Sequence, residues 1–421
     1  MVAAAMGAGA VTACGGPAPG TAKDSTGEPT GTIRLVTPIF EGNDGQALLT
    51  RLLAKFQKQH PGVEVEVDPT TYGKLNEKLA TSIASGRPYD VMMMGAGWIP
   101  PFAAKGVLAE LDRSSDALTR TYEPRVVEAG VHQGKVYALP VMLDARFGIY
   151  RKDIFAEVEA TAPPKSFAEL RALAKELTVR EADGTLTRAG IDILSHDPRQ
   201  LFETLLWAAG GDLFDEQLTA PAFHGPEGVT ALSLMTDLVR KDRVIDIGFT
   251  RPGATSIPLL QGRAAMALGH NNLWIEAEKQ APELIEQDRL GTFVVTDARP
   301  ALFQGGTLAA MSASSRHPAA ANALVRFLAS PEVSLAASRQ RGNIPAAKST
   351  ADSSYVRDNA FVRFAMENLD VAFSEGGVPA WLEIRGEFAG AVESALLGKK
   401  TPKQALDDLA ATATQAMSRR R

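Results

Sequence analysis

The feature that most constrains the fold is an alternation of strand and helix patterns that begins at Thr32. Two helix patterns, each with apolar residues at helical spacing, separate three short apolar runs typical of buried strands. The runs are 33–36, 63–67 and 90–94, and the helix patterns are marked by Leu48, Leu49, Leu52, Leu53 and Phe56, then by Leu75, Leu79 and Ile83. Helical crossovers of this kind join parallel strands, so the pattern predicts an open α/β sheet. Such sheets bind ligands at the carboxyl ends of their strands, which here are residues 40–44 and 95–98.

The length and composition of the chain predict two soluble domains. A single hydrophobic core rarely serves more than about 300 residues, and this chain has 421. Its 45% hydrophobic and 22% charged residues are ordinary globular values. The net charge of −5 is mild and scattered, so we expect a small-molecule ligand rather than a nucleic acid.

The rest of the chain is mostly helical by pattern. We predict helices at 167–177, 202–209, 228–241, 275–285, 319–328, 355–368 and 402–417, with strands at 292–295 and 308–311. No internal repeat of fixed period is present, which excludes solenoid and propeller folds.

The sole cysteine, Cys14, follows a run of small and apolar residues. Residues 11–14 (VTAC) resemble a bacterial lipobox, whose cysteine is acylated, so we expect 1–14 to be a signal peptide with its lipidation site. No Lys or Arg precedes the run, although complete signal peptides carry one, and the natural start is therefore expected further upstream. Residues 15–31 are rich in Gly, Pro, Thr and Ser and predict a flexible tether. The alternative for Cys14 is a free thiol in a mobile N-terminus.

Several passages, in order along the chain, resemble one known family. They are 53–63 (LAKFQKQHPGV), 85–91 (SGRPYDV), 134–140 (GKVYALP), 150–155 (YRKDIF), 210–214 (GGDLF), 262–266 (GRAAM) and 342–345 (GNIP). The set is similar to extracellular solute-binding proteins of carbohydrate-uptake ABC importers, the maltose-binding-protein-like group. The similarity runs from about Thr32 to the C-terminus.

The resemblance implies a two-lobed α/β fold of the periplasmic-binding-protein type, with discontinuous lobes and a hinge. By analogy, lobe 1 is 32–143 plus 297–330 and lobe 2 is 144–296 plus 331–421. It also implies a monomer on the outer face of the cell membrane, held there only by its lipid anchor. A carbohydrate and the subunits of an ABC permease are the implied partners, and no cofactor or metal is implied.

Tryptophans are the first candidate ligand contacts, because the apolar face of a sugar ring packs on flat aromatic rings. Trp98, Trp274 and Trp381 have loop-like surroundings and match family positions near the ligand. Packing in a core is the alternative for all three, and it is the preferred interpretation for Trp207, which lies within a helix pattern.

Polar candidates for the sugar hydroxyls come mainly from the resemblance. Asp144 matches an acidic contact beside a family hinge, and a carboxylate accepts hydrogen bonds from two adjacent hydroxyls. Arg146 is either a ligand contact or a structural partner of Asp144 at i, i+2 on a strand. Further candidates carried over from the family are Glu41, Asn43, Tyr72, Asn272, Gly306 and Arg385.

We expect binding rather than catalysis. Nucleophile-elbow, zinc-protease and phosphate-loop motifs do not occur in the sequence. Glu41 and Asp144 could still form the carboxylate pair of a secreted glycan hydrolase, since sequence does not give their separation. A receptor of the same fold for an amino sugar or a polyol phosphate is the nearer alternative.

Overall fold

A computed structural model describes residues 26–195, 197–250 and 256–419 of the chain. Cys14 and most of the predicted tether lie outside this part. The strands within it are β1 (Gly31–Thr37), β2 (Val63–Pro69), β3 (Val91–Gly95), β4 (Val131–His132), β5 (Lys135–Val136), β6 (Ala138–Arg151), β7 (Val179–Arg180), β8 (Leu186–Asp192), β9 (Ala264–His270), β10 (Leu290–Phe293), β11 (Val295–Thr296), β12 (Pro300–Met311), β13 (Ile344–Pro345) and β14 (Ala372–Ser374).

Helices make up most of the remaining described structure. They are α1 (Gly42–Gln59), α2 (Tyr72–Ala84), α3 (Ile99–Ala103), α4 (Ser115–Leu118), α5 (Pro124–Glu128), α6 (Lys152–Ala156), α7 (Phe167–Glu176), α8 (Pro198–Ala208), α9 (Pro226–Arg240), α10 (Leu273–Gln280), α11 (Pro282–Glu286), α12 (Pro318–Leu328), α13 (Pro331–Arg341), α14 (Ser354–Asp358), α15 (Ala360–Glu367), α16 (Trp381–Leu396) and α17 (Pro402–Ser418). Within the described ranges, we find no helix with both the length and the apolar character that a membrane span requires.

The predicted alternation of strands and helices at the start of the chain is confirmed. β1 pairs in parallel with β2 on one side and with β3 on the other. The main sheet has the order β2-β1-β3-β12-β6-β9-β8-β7. The carboxyl ends of β1 and β3 therefore lie at the same edge of the sheet, as the pattern predicts.

Two long antiparallel strands, β6 and β12, run through both halves of this sheet. The first half of β6 pairs with β12, which also pairs with β3, and residues 146–150 of β6 pair with β9. Gly305 lies opposite Asp144 near the middle of both strands. These two strands thus connect the halves of the molecule, and residues near Asp144 lie where one half passes into the other.

The hydrophobic cores follow this division. One core fills the space among α7, α8, α9, α16 and α17 against β8 and β9, with Phe202, Trp207 and Phe388 fully buried. Two others cover the two faces of the sheet around β1 and β3. Both α12 and α13 pack into the larger of these through Leu324 and Val333. The exact lobe boundaries remain a prediction.

Two helices that were predicted as continuous are each divided into two in the structure. The helix expected at 275–285 is divided into α10 and α11, because Pro282 has no N–H to continue the first helix. The helix expected at 355–368 is divided at Asn359, whose side chain accepts hydrogen bonds from Phe361 N (3.1 Å) and Val362 N (2.9 Å) and so begins α15. The short strand expected at 308–311 is the end of the 12-residue β12.

Candidate functional site

A cavity of about 290 Å³, partly open to solvent, lies between the two halves of the molecule. The ends of β3 and β9 and the middle parts of β6 and β12 meet there with the N-terminal parts of α2 and α16 and the last residue of α13. The sequence candidates that line it are Tyr72, Trp98, Asp144, Arg146, Asn272, Gly306 and Arg385. His270, Gln200, Arg341, Asn343 and Glu375 also line it and were not predicted. The cavity is therefore walled mainly by polar and charged side chains.

Asp144 and Arg146 form an ion pair on one face of β6. An Nη of Arg146 donates to Asp144 Oδ1 at 2.8 Å, and the guanidinium also lies 5.6 Å from the ring centre of Phe303. Burial lowers the pKa of Arg146, and the charge of Asp144 opposes that shift. The structure therefore fits both interpretations of Arg146, because this side chain pairs with Asp144 and also lines the cavity.

Glycine at position 305 makes room for the Asp144 carboxylate. A Cβ on Gly305 would lie 2.6 Å from Asp144 Oδ1, too close for any other residue without a shift. The next residue, Gly306, has φ +146 and would place a Cβ 2.5 Å from Met142 O. These two glycines let β12 pass the carboxylate at close range, which supports a backbone role for Gly306.

His270 completes this side of the cavity. Its Nε2 lies 3.8 Å from Asp144 Oδ1, and its Nδ1 accepts a hydrogen bond of 2.8 Å from the backbone N–H of Asn272. Because Nδ1 is an acceptor, the proton of the neutral ring is on Nε2 and points towards Asp144. Asn272, which the resemblance implied, enters the site at the start of α10, whereas His270 was not predicted.

A second group of charges surrounds Glu375, which follows β14. Its carboxylate pairs with Arg199 of α8, and Arg199 also pairs with Glu203 at 2.9 Å. Burial, together with the negative charge of Glu375, raises the pKa of Glu203 despite the opposing effect of Arg199. Arg385 Nε lies 3.4 Å from Glu375 Oε1 but is not aligned to donate, so this N–H is buried without an acceptor among the described residues.

Arg341 and Tyr72 line the wall beside α1. An Nη of Arg341 donates to Ile39 O and to Glu41 Oε2, each at 3.0 Å, while its Nε is buried without an acceptor in the described structure. The Tyr72 hydroxyl is hydrogen-bonded to Thr307 Oγ1, and burial raises its pKa. Glu41 does not line the cavity but pairs with Arg341, which does, and Asn43 is exposed on the first turn of α1 and is not among the lining residues.

The structure does not bring the predicted tryptophans together. Trp98 lines the cavity and is 4% exposed. Trp274 lies in a core, with its ring 5.2 Å from that of Phe361. Trp381 is fully buried against Phe214 and Phe388. For Trp274 and Trp381 the structure favours the packing alternative, and Trp207 packs in a core as its helix pattern predicted.

A larger outer cavity of about 880 Å³ adjoins the inner one, and both are lined in part by Ala96 and Glu375. Gly376 lies between the two cavities and packs closely on Gly97. A Cβ built on Gly376 would lie 3.0 Å from the Cα of Gly97. The acidic side chains around the outer cavity are Asp116, Glu128, Asp212, Asp215 and Glu216. Asp212 is paired with Arg299 at 2.9 Å. The outer cavity therefore has the opposite charge character to the arginine-rich inner one.

Comparisons with known proteins agree with this architecture. Residues 41–334 match the family model described as bacterial extracellular solute-binding protein. A putative binding protein of Brucella abortus is 24% identical over 400 residues, covering 91% of this chain and 92% of that protein. The galactooligosaccharide-binding protein of Bacillus subtilis is 25% identical over 395 residues, covering 89% and 88%.

Solved structures share the fold. The sugar-binding protein MalE of Xanthomonas citri superposes with a TM-score of 0.78 at 21% identity, covering 93% of this chain and 98% of that one. At this identity the likeness concerns the fold alone. The two-lobed α/β fold with discontinuous lobes and a hinge, which the resemblance implied, is confirmed.

Proposed function

This chain belongs to the family of bacterial extracellular solute-binding proteins, and on that premise we propose that it captures a sugar or oligosaccharide for an ABC importer. The ligand binds in the cleft between the lobes, and the loaded protein delivers it to the permease. Sugar-binding relatives such as the galactooligosaccharide-binding protein of Bacillus subtilis support this choice of ligand.

The inner cavity is the observation that supports the proposal most. Its walls come from both halves of the molecule, so a ligand inside it holds the halves together. Asp144 offers carboxylate oxygens to sugar hydroxyls, while Arg146 and Arg385 offer donors to hydroxyl and ring oxygens. Trp98 and Tyr72 supply the aromatic surface for one ring face. Ligand binding and lobe closure are thereby coupled.

The proposal includes a place in the cell. We propose that acylated Cys14 holds the protein at the outer face of the membrane and that it works there as a monomer. A tether of the length of 15–31 spans roughly 20–25 Å as a flexible chain, which keeps a receptor close to its permease. This part of the proposal rests on the lipobox-like residues 11–14 and the composition of the tether.

The hydrogen bonds of Glu41 and Asp144 favour ligand binding over hydrolysis. Glu41 accepts from Arg341, and Asp144 accepts from Arg146. A retaining or inverting glycosidase needs one carboxylic acid that donates a proton to the leaving oxygen. Two carboxylates that each accept a charge-assisted hydrogen bond are suited to accepting from hydroxyls instead.

A ligand panel with two readouts tests the proposal. Purified protein is mixed with neutral, acidic and amino monosaccharides and with oligosaccharides, and the melting temperature is followed, because a ligand that prefers the folded state raises it. Small-angle scattering then compares free protein with protein saturated by any sugar that binds. Failure of every sugar to raise the melting temperature contradicts the proposal, as does steady release of hydrolysed product.

A further inference from the structure

We infer that the inner cavity selects an acidic monosaccharide, whose carboxylate is bound by Arg385. The inference rests on the proposed function and names the class of sugar that the cavity takes. It follows from four properties of the cavity: its size, the charges on its wall, its unsatisfied donors and its mainly polar lining.

The size of the cavity favours a single sugar ring. Its volume of about 290 Å³ lies at the lower end of the range of about 300–1,000 Å³ found for ligand pockets. Gly97 and Gly376 pack closely on each other between this cavity and the outer one, and a Cβ on Gly376 would lie 3.0 Å from Gly97 Cα. We expect a single ring to fill the inner cavity, whereas an oligosaccharide would extend beyond it.

The charges on the wall favour an anion. Three guanidinium groups line the cavity, on Arg146, Arg341 and Arg385, against two carboxylates, on Asp144 and Glu375. Asp144 is already engaged by Arg146 at 2.8 Å. Glu375 is engaged by Arg199, which stands behind the wall. Arg341 is engaged by Glu41 at 3.0 Å, so Arg385 is the guanidinium on the wall that shares its carboxylate with a second arginine.

Arg385 is the guanidinium with the weakest protein partner. Its ion pair with Glu375 is 3.4 Å long and shares that carboxylate with Arg199, and its Nε–H is buried without an acceptor among the described residues. A buried donor without an acceptor is costly, and a guanidinium is best satisfied by a carboxylate that accepts two hydrogen bonds. Arg341 Nε has the same deficit and offers a second donor in the same cavity.

Trp98, Tyr72 and Phe303 are the aromatic residues on the described wall, and the rest of the lining is mainly polar, which argues against recognition of a neutral sugar by stacking alone. Trp98 is the single tryptophan on the described wall, because Trp274 and Trp381 are packed in cores. The binding energy of a ligand here must therefore come mainly from charged and polar contacts.

The inference is tested by comparing the affinities of sugars that share one ring configuration but differ in whether they carry a carboxylate. Isothermal titration of the full chain at pH 7 compares D-glucuronate with D-glucose and D-glucosamine, and D-galacturonate with D-galactose. We expect one acidic sugar to bind about 10- to 100-fold more tightly than its neutral counterpart, as charge-assisted hydrogen bonds imply. Raising the salt concentration should reduce that preference.

Arg385→Gln identifies the residue responsible. The ratio of acidic to neutral affinity should fall by about tenfold or more in this variant. Arg363→Gln, on the exposed face of α15, is the matched control and should keep the wild-type ratio. Melting curves of both variants establish that they are folded. If Arg385→Gln does not fold, Arg341→Gln replaces it as the test variant.

Each other outcome has a definite meaning. The inference is overturned if neutral sugars bind as tightly as acidic ones. It is also overturned if amino sugars, attracted by the acidic outer cavity, bind more tightly than acidic sugars. In both cases the proposed function stands. Oligosaccharides that bind when no monosaccharide does have the same effect. Failure of every sugar to bind rejects the inference and the proposed function together.

Discussion

Gly97 and Gly376 meet across the cleft, so that a Cβ on Gly376 would lie 3.0 Å from the Cα of Gly97. Gly97 follows β3 in one half of the molecule, and Gly376 precedes α16, which packs in the core of the other half. Side chains larger than hydrogen would hold these two segments apart. The pair therefore makes the closed arrangement possible.

The variant Gly97→Ala should resist closure. Its Cβ would lie 2.7 Å from Trp381 Nε1 and 2.8 Å from Glu375 Cγ. Such overpacking costs about 1–3 kcal/mol, and we expect it to disfavour the arrangement in which the two segments touch. Ligand affinity should fall about 5- to 150-fold with little change in melting temperature of the free protein. Titration calorimetry and small-angle scattering with ligand measure the two effects.

A second glycine gives the matched control for this variant. Gly390 lies within α16, where a Cβ would meet no atom within 4 Å. Gly390→Ala should keep wild-type affinity and gain slightly in stability, because alanine favours the helix. Wild-type affinity in folded Gly97→Ala would mean that the two segments separate easily and do not limit closure.

The variant Trp274→Ala should lose stability. Its side chain is 8% exposed, packs against Phe361 and donates from Nε1 to Glu278 at 2.9 Å. Removing a buried tryptophan costs about 3–5 kcal/mol of unfolding free energy. Chemical denaturation measures this loss, with Leu397→Ala as a control, since Leu397 is 45% exposed and its loss should change stability by less than about 0.5 kcal/mol. An unchanged denaturation midpoint with lost sugar binding would return Trp274 to the ligand surface.

Local periodicity predicted the strands and helices that begin the chain, because each apolar face there is continuous in sequence. β1, α1, β2, α2 and β3 all occur where their patterns predict them. The long strand β6 was not among the predicted strands, although the i, i+2 interpretation of Asp144 and Arg146 assumed a strand at that point. Residues 138–151 are nearly continuously buried, as a strand covered on both faces is, and that pattern resembles neither alternation nor helical spacing.

The composition of the site was harder to predict, because burial of a side chain depends on partners far away in sequence. Trp274 follows polar residues, which suggested a loop, but Phe361 from α15 covers it. Arg341 and Glu375 carry no local signal that separates them from surface charges. They reach the cavity through the end of α13 and the segment after β14, which only the tertiary structure brings together.

Removing Cys14 should release the protein from the membrane. The chain, expressed in a bacterial host from a start that supplies a complete signal peptide ahead of Cys14, should be found in the membrane fraction, and Cys14→Ala should be found in the soluble or secreted fraction. A single acyl chain binds membranes only marginally, so mass spectrometry of the native N-terminus should find more than one on Cys14. An unmodified Cys14 in membrane-bound protein would refute the anchor.

Replacing Glu203 should flatten the dependence of stability on pH. Burial, reinforced by Glu375, raises the pKa of Glu203 from its ordinary 4.5 to about 8. Between these values the folded state holds a proton that the unfolded state has released, so the unfolding free energy of the wild type decreases as pH rises through this window. Glu203→Gln has no proton to lose there.

Melting temperatures at pH 5 and pH 8 measure this effect. The decrease between the two should be smaller in Glu203→Gln than in the wild type, whatever the offset caused by altering the contact with Arg199. Glu387→Gln, which removes an exposed carboxylate from α16, should follow the wild-type curve and is the matched control. Parallel curves for Glu203→Gln and the wild type would show that Glu203 stays ionised through this window, with Arg199 outweighing both its burial and the charge of Glu375.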